Sequence, residues 1–322
     1  MSKYLFESDE QPPLASRLRP VLQEWSERGV HFGASSWKYP GWLGSIYSES
    51  RYITRGKFSK AKFESTCLTE YAKTFPTVGG DFSFYQFPKP DAWERVFSDA
   101  PPHFTFGLKV PETVTVLNWP GHARYGARAG TKNESFLDAE LFKAAFLKPL
   151  EKHRDHVASF IFEFGTFAKK DFPSVDDFLP LLNAFLGSLP RGWRYSVEIR
   201  NKDYLGPDYF SVLAQHNVAH VFNAWTRMPV LAEQIVLPGA FTADHIVVRA
   251  LLQHGRTYEA AVSLFEPYEK VQQPDLSTRE AIRQIAEKAV KERKRAYVFV
   301  NNRLEGNAPG TIAAIASDDL ID

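Results

Sequence analysis

Eight short runs rich in Val, Ile, Phe and Tyr recur along the chain, separated by longer segments of helical periodicity. The runs predict strands at about 31–36, 78–84, 104–110, 159–164, 195–200, 219–224, 245–249 and 296–301. Helical patterns fall at 59–75, 135–154, 174–188, 207–216 and 277–294, and a short helix at 14–28 is expected across the bottom or side of the body. Strands alternating with helices are parallel and joined by crossovers, so the fold class is α/β. Eight such units without a change of composition predict a TIM (β/α)8 barrel, a closed parallel eight-stranded barrel with outer helices. No G-x-G-x-x-G follows the first strand, which argues against an open dinucleotide-binding sheet and leaves no nucleotide cofactor motif. The expected organisation is an N-terminal extension over 1–28 and one barrel domain over 29–318.

Side-chain parity then assigns the faces, because successive residues of a strand point to opposite sides. Phe104, Phe106 and Leu108 share one parity, and Thr105, Gly107 and Lys109 share the other. Phe160, Phe162 and Phe164 likewise oppose Ser159, Ile161 and Glu163, while Val197 and Ile199 oppose Ser196, Glu198 and Arg200. The large apolar set is expected against the helices, and the polar set inside the barrel.

Composition narrows the partners. A net charge of +1 over 322 residues argues against a protein that holds nucleic acid through its overall field, without excluding a local basic cleft. The single cysteine, Cys67, rules out an intrachain disulfide and reads as packing. Met1 to Pro13 is polar and acidic, without a signal-peptide layout, and no stretch approaches the roughly 20 apolar residues of a membrane helix. A cytoplasmic protein without a membrane partner is the expectation; the sequence leaves the oligomeric state open. The basic run at 291–295 closes a helix and suits its negative end.

The inward charged residues cluster near the C-terminal ends of their strands, where barrel active sites are assembled. Lys109, Glu163, Glu198, Arg200 and Arg249 follow that rule, as do Asp81, Asn223 and Asn301 or Asn302. Asp81, Glu163 and Glu198 are the candidate catalytic carboxylates, and Lys109, Arg200 and Arg249 the candidate holders of negative charge. The competing reading is an ion-pair network that only closes the barrel top, with Glu198 and Arg200 neutralising each other. In the loop after the last strand, Asn307 is a good helix N-cap, and the amides behind it predict an anion seat or simple capping. Trp37, beside Tyr39 and Trp42, offers a ring to stack on a sugar or base, or a packing plug; Tyr85 is a further candidate for contact with a ligand. No metal ligand set is assigned, since no His sits clearly beside two carboxylates at a strand end. Mg2+ on Asp81, Glu163 and Glu198 remains one option among several.

The chain resembles the YecE-like proteins, catalogued as domain of unknown function 72. The matching pieces are GASSWKYPGWLGSIY at 33–47, DFSFYQFP at 81–88, FTFGLKVP at 104–111, YSVEIRNKDY at 195–204, the Arg249 strand with Tyr258 beyond it, and AYVFVNNRLEGNAP at 296–309. The resemblance implies a TIM barrel and no established reaction, with a distant fold analogy to sugar isomerases and apurinic endonucleases. The sequence departs from the family at several points. Val78-Gly79-Gly80-Asp81 lacks a usual Glu, Thr115-Val116 replaces Thr-His, and Glu163 replaces Gln. The Arg-x-His-Gly pattern is stretched to Arg249…His254-Gly255. These departures imply a divergent branch, in which Glu163 replaces the charge lost at position 79.

The reading that follows is an enzyme acting on a small anionic, phosphorylated or sugar-like ligand by acid/base hydrolysis or isomerisation. A nucleic-acid-binding or nucleic-acid-processing barrel is the alternative, suggested by the aromatic and basic loops at 37–55 and 118–132; the connection over 118–134 is a candidate lid. A non-catalytic ligand-binding scaffold is the third.

Overall fold

The computed structural model describes residues 12–317, so residues 1–11 of the expected extension and residue 318 of the expected domain lie outside it. Eight parallel strands form one sheet: β1 (Val30–Ala34), β2 (Thr77–Gly80), β3 (Thr105–Lys109), β4 (Val157–Phe164), β5 (Tyr195–Ile199), β6 (Ala219–Ala224), β7 (His245–Ala250) and β8 (Arg295–Val300). Hydrogen-bonded ladders join β2 through β8 in sequence order, and β8 then pairs with β1. Each expected strand is present. The second is shorter than expected, because Asp81–Ser83 turns away as a 3-10 helix.

The sheet curls almost into a barrel, and the expected closure is incomplete: β1 and β2 face each other without a backbone ladder. One side chain bridges this seam. The Tyr71 hydroxyl, from the helix Lys60–Tyr71, accepts from the Ala34 amide (2.7 Å) and donates to the Thr77 carbonyl (3.1 Å). Glycine permits the close approach, since a Cβ on Gly33 would lie 2.0 Å from the Thr77 carbonyl oxygen. A side chain at Gly79 would begin 3.0 Å from the Ser35 Cα. A side chain at position 79 would therefore crowd the backbone just after β1.

Parity holds around the sheet. Phe106, Leu108, Phe160, Phe162, Val197 and Ile199 join the main apolar core, while Ile161, Val221, Val247, Tyr297 and Phe299 form a separate buried cluster inside the curl. The interior is filled rather than open: a Cβ on Gly107 would lie 2.4 Å from the Phe299 ring.

Helices cover the outer face. Pro13–Glu27 lies along the side of β1, burying Ala15, Leu18 and Leu22, with the Trp25 indole donating to the Ala316 carbonyl (3.0 Å). Val175–Gly187 begins in a capping box between Ser174 and Asp177. The helix expected over 135–154 starts at Ala139 and breaks into an α turn, a π turn (Lys143–Leu147), a second α turn and a 3-10 turn. Pro149 accounts for the break: it has no N–H to donate, and its ring crowds the carbonyl one turn back. Among the described residues no helix is long and apolar enough to cross a membrane.

Candidate functional site

The strands carry one polar layer to their C-terminal ends. Register places Glu163 beside Glu198, and Arg249 beside both Asn223 and Phe299. Arg249 reaches across the sheet: Nη1 donates to Glu163 Oε2 (2.5 Å) and to Glu198 Oε2, and Nη2 donates to Asp81 Oδ1 (3.0 Å). Glu163 Oε2 is the common acceptor, also lying 3.0 Å from Lys109 Nζ and 3.3 Å from Arg200 Nη2. Arg200 Nη2 stands 2.5 Å from Glu198 Oε1, without the alignment of a hydrogen bond. Three carboxylates and three cations thus balance in one cluster. Glu198 is fully buried, and only Asp81 is substantially exposed.

Aromatic rings wall the cluster. The Lys109 ammonium sits 3.5 Å from the centre of the Phe84 ring, and the Arg200 guanidinium lies 3.9 Å from that of Trp225. Ser83 ties the turn carrying Asp81 to β3, its hydroxyl lying 2.6 Å from the Lys109 carbonyl.

The charges set the protonation state. Burial alone would raise the Glu163 carboxyl, but attraction to Lys109, Arg200 and Arg249 overrides it and holds Glu163 well below the ordinary carboxylate range. For Arg249, burial disfavours the charge, yet Glu198, Asp81 and Glu163 hold it firmly protonated. In this arrangement Glu163 is an ionised acceptor and a weak base.

Not every donor is used. Arg200 is 7% exposed, and its Nε and Nη1 have no protein partner. Arg200 also lines a cavity of ≈ 360 Å³ between the ends of β5, β6 and β7, together with Thr166, Lys202, Asp203, Thr226, Arg227 and His254. The buried Asn223 Oδ1 is likewise without a partner, while its Nδ2 donates to the Ile199 carbonyl (3.3 Å). A larger cavity of ≈ 540 Å³, lined by Arg191, Trp193 and His216, lies at the opposite ends of β5 and β6.

The family profile described as "Protein of unknown function DUF72" matches residues 31–318. The chain belongs to the DUF72 family. A DUF72 family protein from Thermotoga maritima MSB8 shares the fold at TM-score 0.60 and 18% identity, over 89% of this chain and 99% of that one. A DUF72 family protein from Enterococcus faecalis V583 aligns at TM-score 0.54 and 16% identity, over 91% and 95% of the two chains. No curated protein matches the sequence.

Other residues expected at the site of this DUF72 chain serve the scaffold. Asn301 donates from Nδ2 to the Ser35 hydroxyl (2.5 Å), and its Oδ1 caps the turn Asn302–Glu305. Asn302 Oδ1 accepts from the Trp42 indole (3.3 Å) and the Ala308 amide (2.7 Å). Asn307 Oδ1 accepts from the Gly310 amide (2.7 Å), capping the helix Ala308–Ala316. The amides expected to seat an anion are thus occupied by Asn302 and Asn307, and both residues are buried.

Trp37 is 7% exposed and packs edge-on against Phe82 and Phe106, while Trp42 is wholly enclosed. The aromatic cluster after β1 is therefore a plug. Tyr85 is 58% exposed at the rim, with the Arg124 guanidinium 4.5 Å from its ring centre. The candidate lid is pinned beside the mouth, Tyr125 donating to Glu112 Oε2 (2.8 Å) and Asn133 to the Thr113 and Val116 carbonyls.

Among the described residues no group of three His, Cys, Asp or Glu side chains is placed to hold a metal ion. Asp81, Glu163 and Glu198 instead face Arg and Lys groups. His216 and His220 stand four residues apart, but His216 bonds Asn183 Oδ1 (2.7 Å) and His220 is enclosed by Tyr209, Phe210 and Phe222. Sequence reasoning did not single out His254 for the site; the stretched Arg249…His254-Gly255 spacing was the available signal.

Proposed function

We propose that the mouth of the sheet binds a small anionic ligand, phosphorylated or sugar-like, and acts on it by proton transfer in a hydrolysis or isomerisation. The observation that carries the reading is Arg200, a buried guanidinium with Nε and Nη1 unpartnered beside a polar cavity. Buried Arg donors left unsatisfied are costly, and an oxyanion that reaches Nε or Nη1 supplies the missing charged acceptor. Lys202 and Arg227 line the same cavity and add positive charge against the single carboxylate of Asp203.

The acid–base part of the proposal follows from competition. An anion that draws Arg200 toward itself weakens the hold of that cation on Glu163 and Glu198. Glu163 then gains proton affinity when the ligand is in place, which makes it the base of the proposed reaction. Arg249 and Lys109 keep the carboxylate positioned.

Titration calorimetry with inorganic phosphate and sulfate tests the binding step. Saturable binding that weakens with added salt is expected, and Arg200→Lys should weaken it about tenfold by removing the spare guanidinium donors. Absence of binding to the wild type, or equal binding by the variant, would refute the proposal. A single-stranded nucleic acid is the second reading, favoured by exposed Phe82 and Tyr85 at the rim with Arg124 against Tyr85. Fluorescence anisotropy with labelled DNA and RNA oligonucleotides decides it: salt-sensitive binding lost in Tyr85→Ala supports it, and no binding removes it.

A further inference from the structure

We infer that His254 accepts a hydrogen bond from a ligand hydroxyl next to the Arg200 anion seat, so that the ligand class is a hydroxylated phosphate rather than a bare oxyanion. This rests on the anion-binding reading above and adds a second recognition group to it.

His254 is held at one edge and open at the other. Its Nδ1 lies 2.8 Å from the Met228 carbonyl oxygen. A carbonyl oxygen only accepts, so Nδ1 carries the hydrogen, and in the neutral ring Nε2 is left as a lone-pair acceptor. The loop bearing it is strapped to the loop after β6: the Leu251 and Leu252 amides both donate to the Ala224 carbonyl (3.2 and 3.1 Å), and the Gly255 amide donates to the Thr226 carbonyl (2.8 Å). Gly255 has φ +76°, a conformation that suits glycine and lets the strand of loop turn back after His254. The stretched Arg249…His254 spacing therefore ends in an ordered, pre-oriented imidazole.

The ring lines the same cavity as Arg200, and its charged neighbours there are Lys202 and Asp203 from the loop after β5 and Arg227 from the loop after β6. An acceptor among these cations is not needed by a fully ionised oxyanion such as sulfate, which offers only acceptors itself. It suits a donor, and a hydroxyl attached to the anion is the simplest one; Thr166 and Thr226 line the cavity and supply further hydroxyl partners. At ≈ 360 Å³ the cavity falls within the range of small-molecule sites, about 300–1,000 Å³, with room beyond a bare oxyanion.

The test compares inorganic phosphate with ribose 5-phosphate and glucose 6-phosphate by titration calorimetry on the full chain. The expected result is that at least one sugar phosphate binds about fivefold to tenfold tighter than inorganic phosphate, the worth of one or two hydrogen bonds. His254→Gln should bring the ratio of sugar-phosphate to inorganic-phosphate affinity close to one. In 15N-histidine-labelled protein, the His254 Nε2 resonance, assigned by its loss in His254→Gln, should shift with the sugar phosphate and far less with inorganic phosphate. If phosphate binds but neither sugar phosphate gains, or the gain survives His254→Gln, this inference is overturned and anion binding stands. If the wild type binds no phosphate at all, both fall.

Discussion

Glu163 Oε2 faces Lys109, Arg200 and Arg249 at once, so its negative charge answers more positive charge than any other single atom of the cluster. Replacing it by Gln leaves those cations under-compensated in a buried site, and Glu163→Gln should destabilise the fold by about 3 kcal/mol at neutral pH. The sign of its pH dependence follows from its depressed folded pKa. The stabilisation is complete above the ordinary Glu value of 4.5 and is lost as the pH falls below it toward the folded value. His220 adds an earlier acid-sensitive step: burial lowers it from 6.5 to about 3, so the unfolded chain takes the proton first and stability declines as pH drops through that window. Urea midpoints measured from pH 7 to pH 3 check both; a profile for Glu163→Gln parallel to wild type below pH 4.5 would contradict the first. At this scale the sequence was legible where parity decides, as for Lys109, Glu163, Glu198 and Arg249. It was not legible for Asn302 and Asn307, whose type suits both anion contact and capping, and only their partners 2.7 Å away distinguish the two.

The seam between β1 and β2 is the element-scale feature that periodicity could not reveal. Whether two edge strands exchange backbone bonds depends on backbone spacing and on what fills the gap, here the Tyr71 hydroxyl between the Ala34 amide and the Thr77 carbonyl. Tyr71→Phe strands both buried backbone groups and should cost about 1–3 kcal/mol. Amide exchange at Ala34 should accelerate together with that loss, whereas an unchanged exchange rate would show that the hydroxyl does not hold the seam. Gly107 and Phe299 make a second test, since the interior ring occupies the space of a missing Cβ. Gly107→Ala should destabilise by about 1–3 kcal/mol, and Phe299→Leu in the same chain should recover part of it in urea unfolding. The eight strands and their faces were legible because alternation at period two is enforced by burial on both sides. The segment over 139–156 was not, because one proline among helix formers changes hydrogen bonding without disturbing the apolar spacing.

Across the whole molecule, the DUF72 chain gathers charges from β3, β4, β5 and β7, and from the turn after β2, into one neutral cluster at the strand ends. Arg200 keeps two donors over beside a cavity with Lys202, Arg227 and His254, and the proposed anion site rests on them. The location of the polar cluster was readable from the sequence, since barrel-type sheets place polar inward residues at the C-terminal ends of their strands. Its internal pairing was not, because the order in which cations and carboxylates meet depends on side-chain reach across the curl. An electron-density map from crystals saturated with phosphate is the most direct test of the anion site. The expected result is an anion within hydrogen-bond distance of Arg200 Nε or Nη1, with Lys202 or Arg227 closing over it. Ordered water on Arg200, with phosphate bound only elsewhere on the surface, would contradict it.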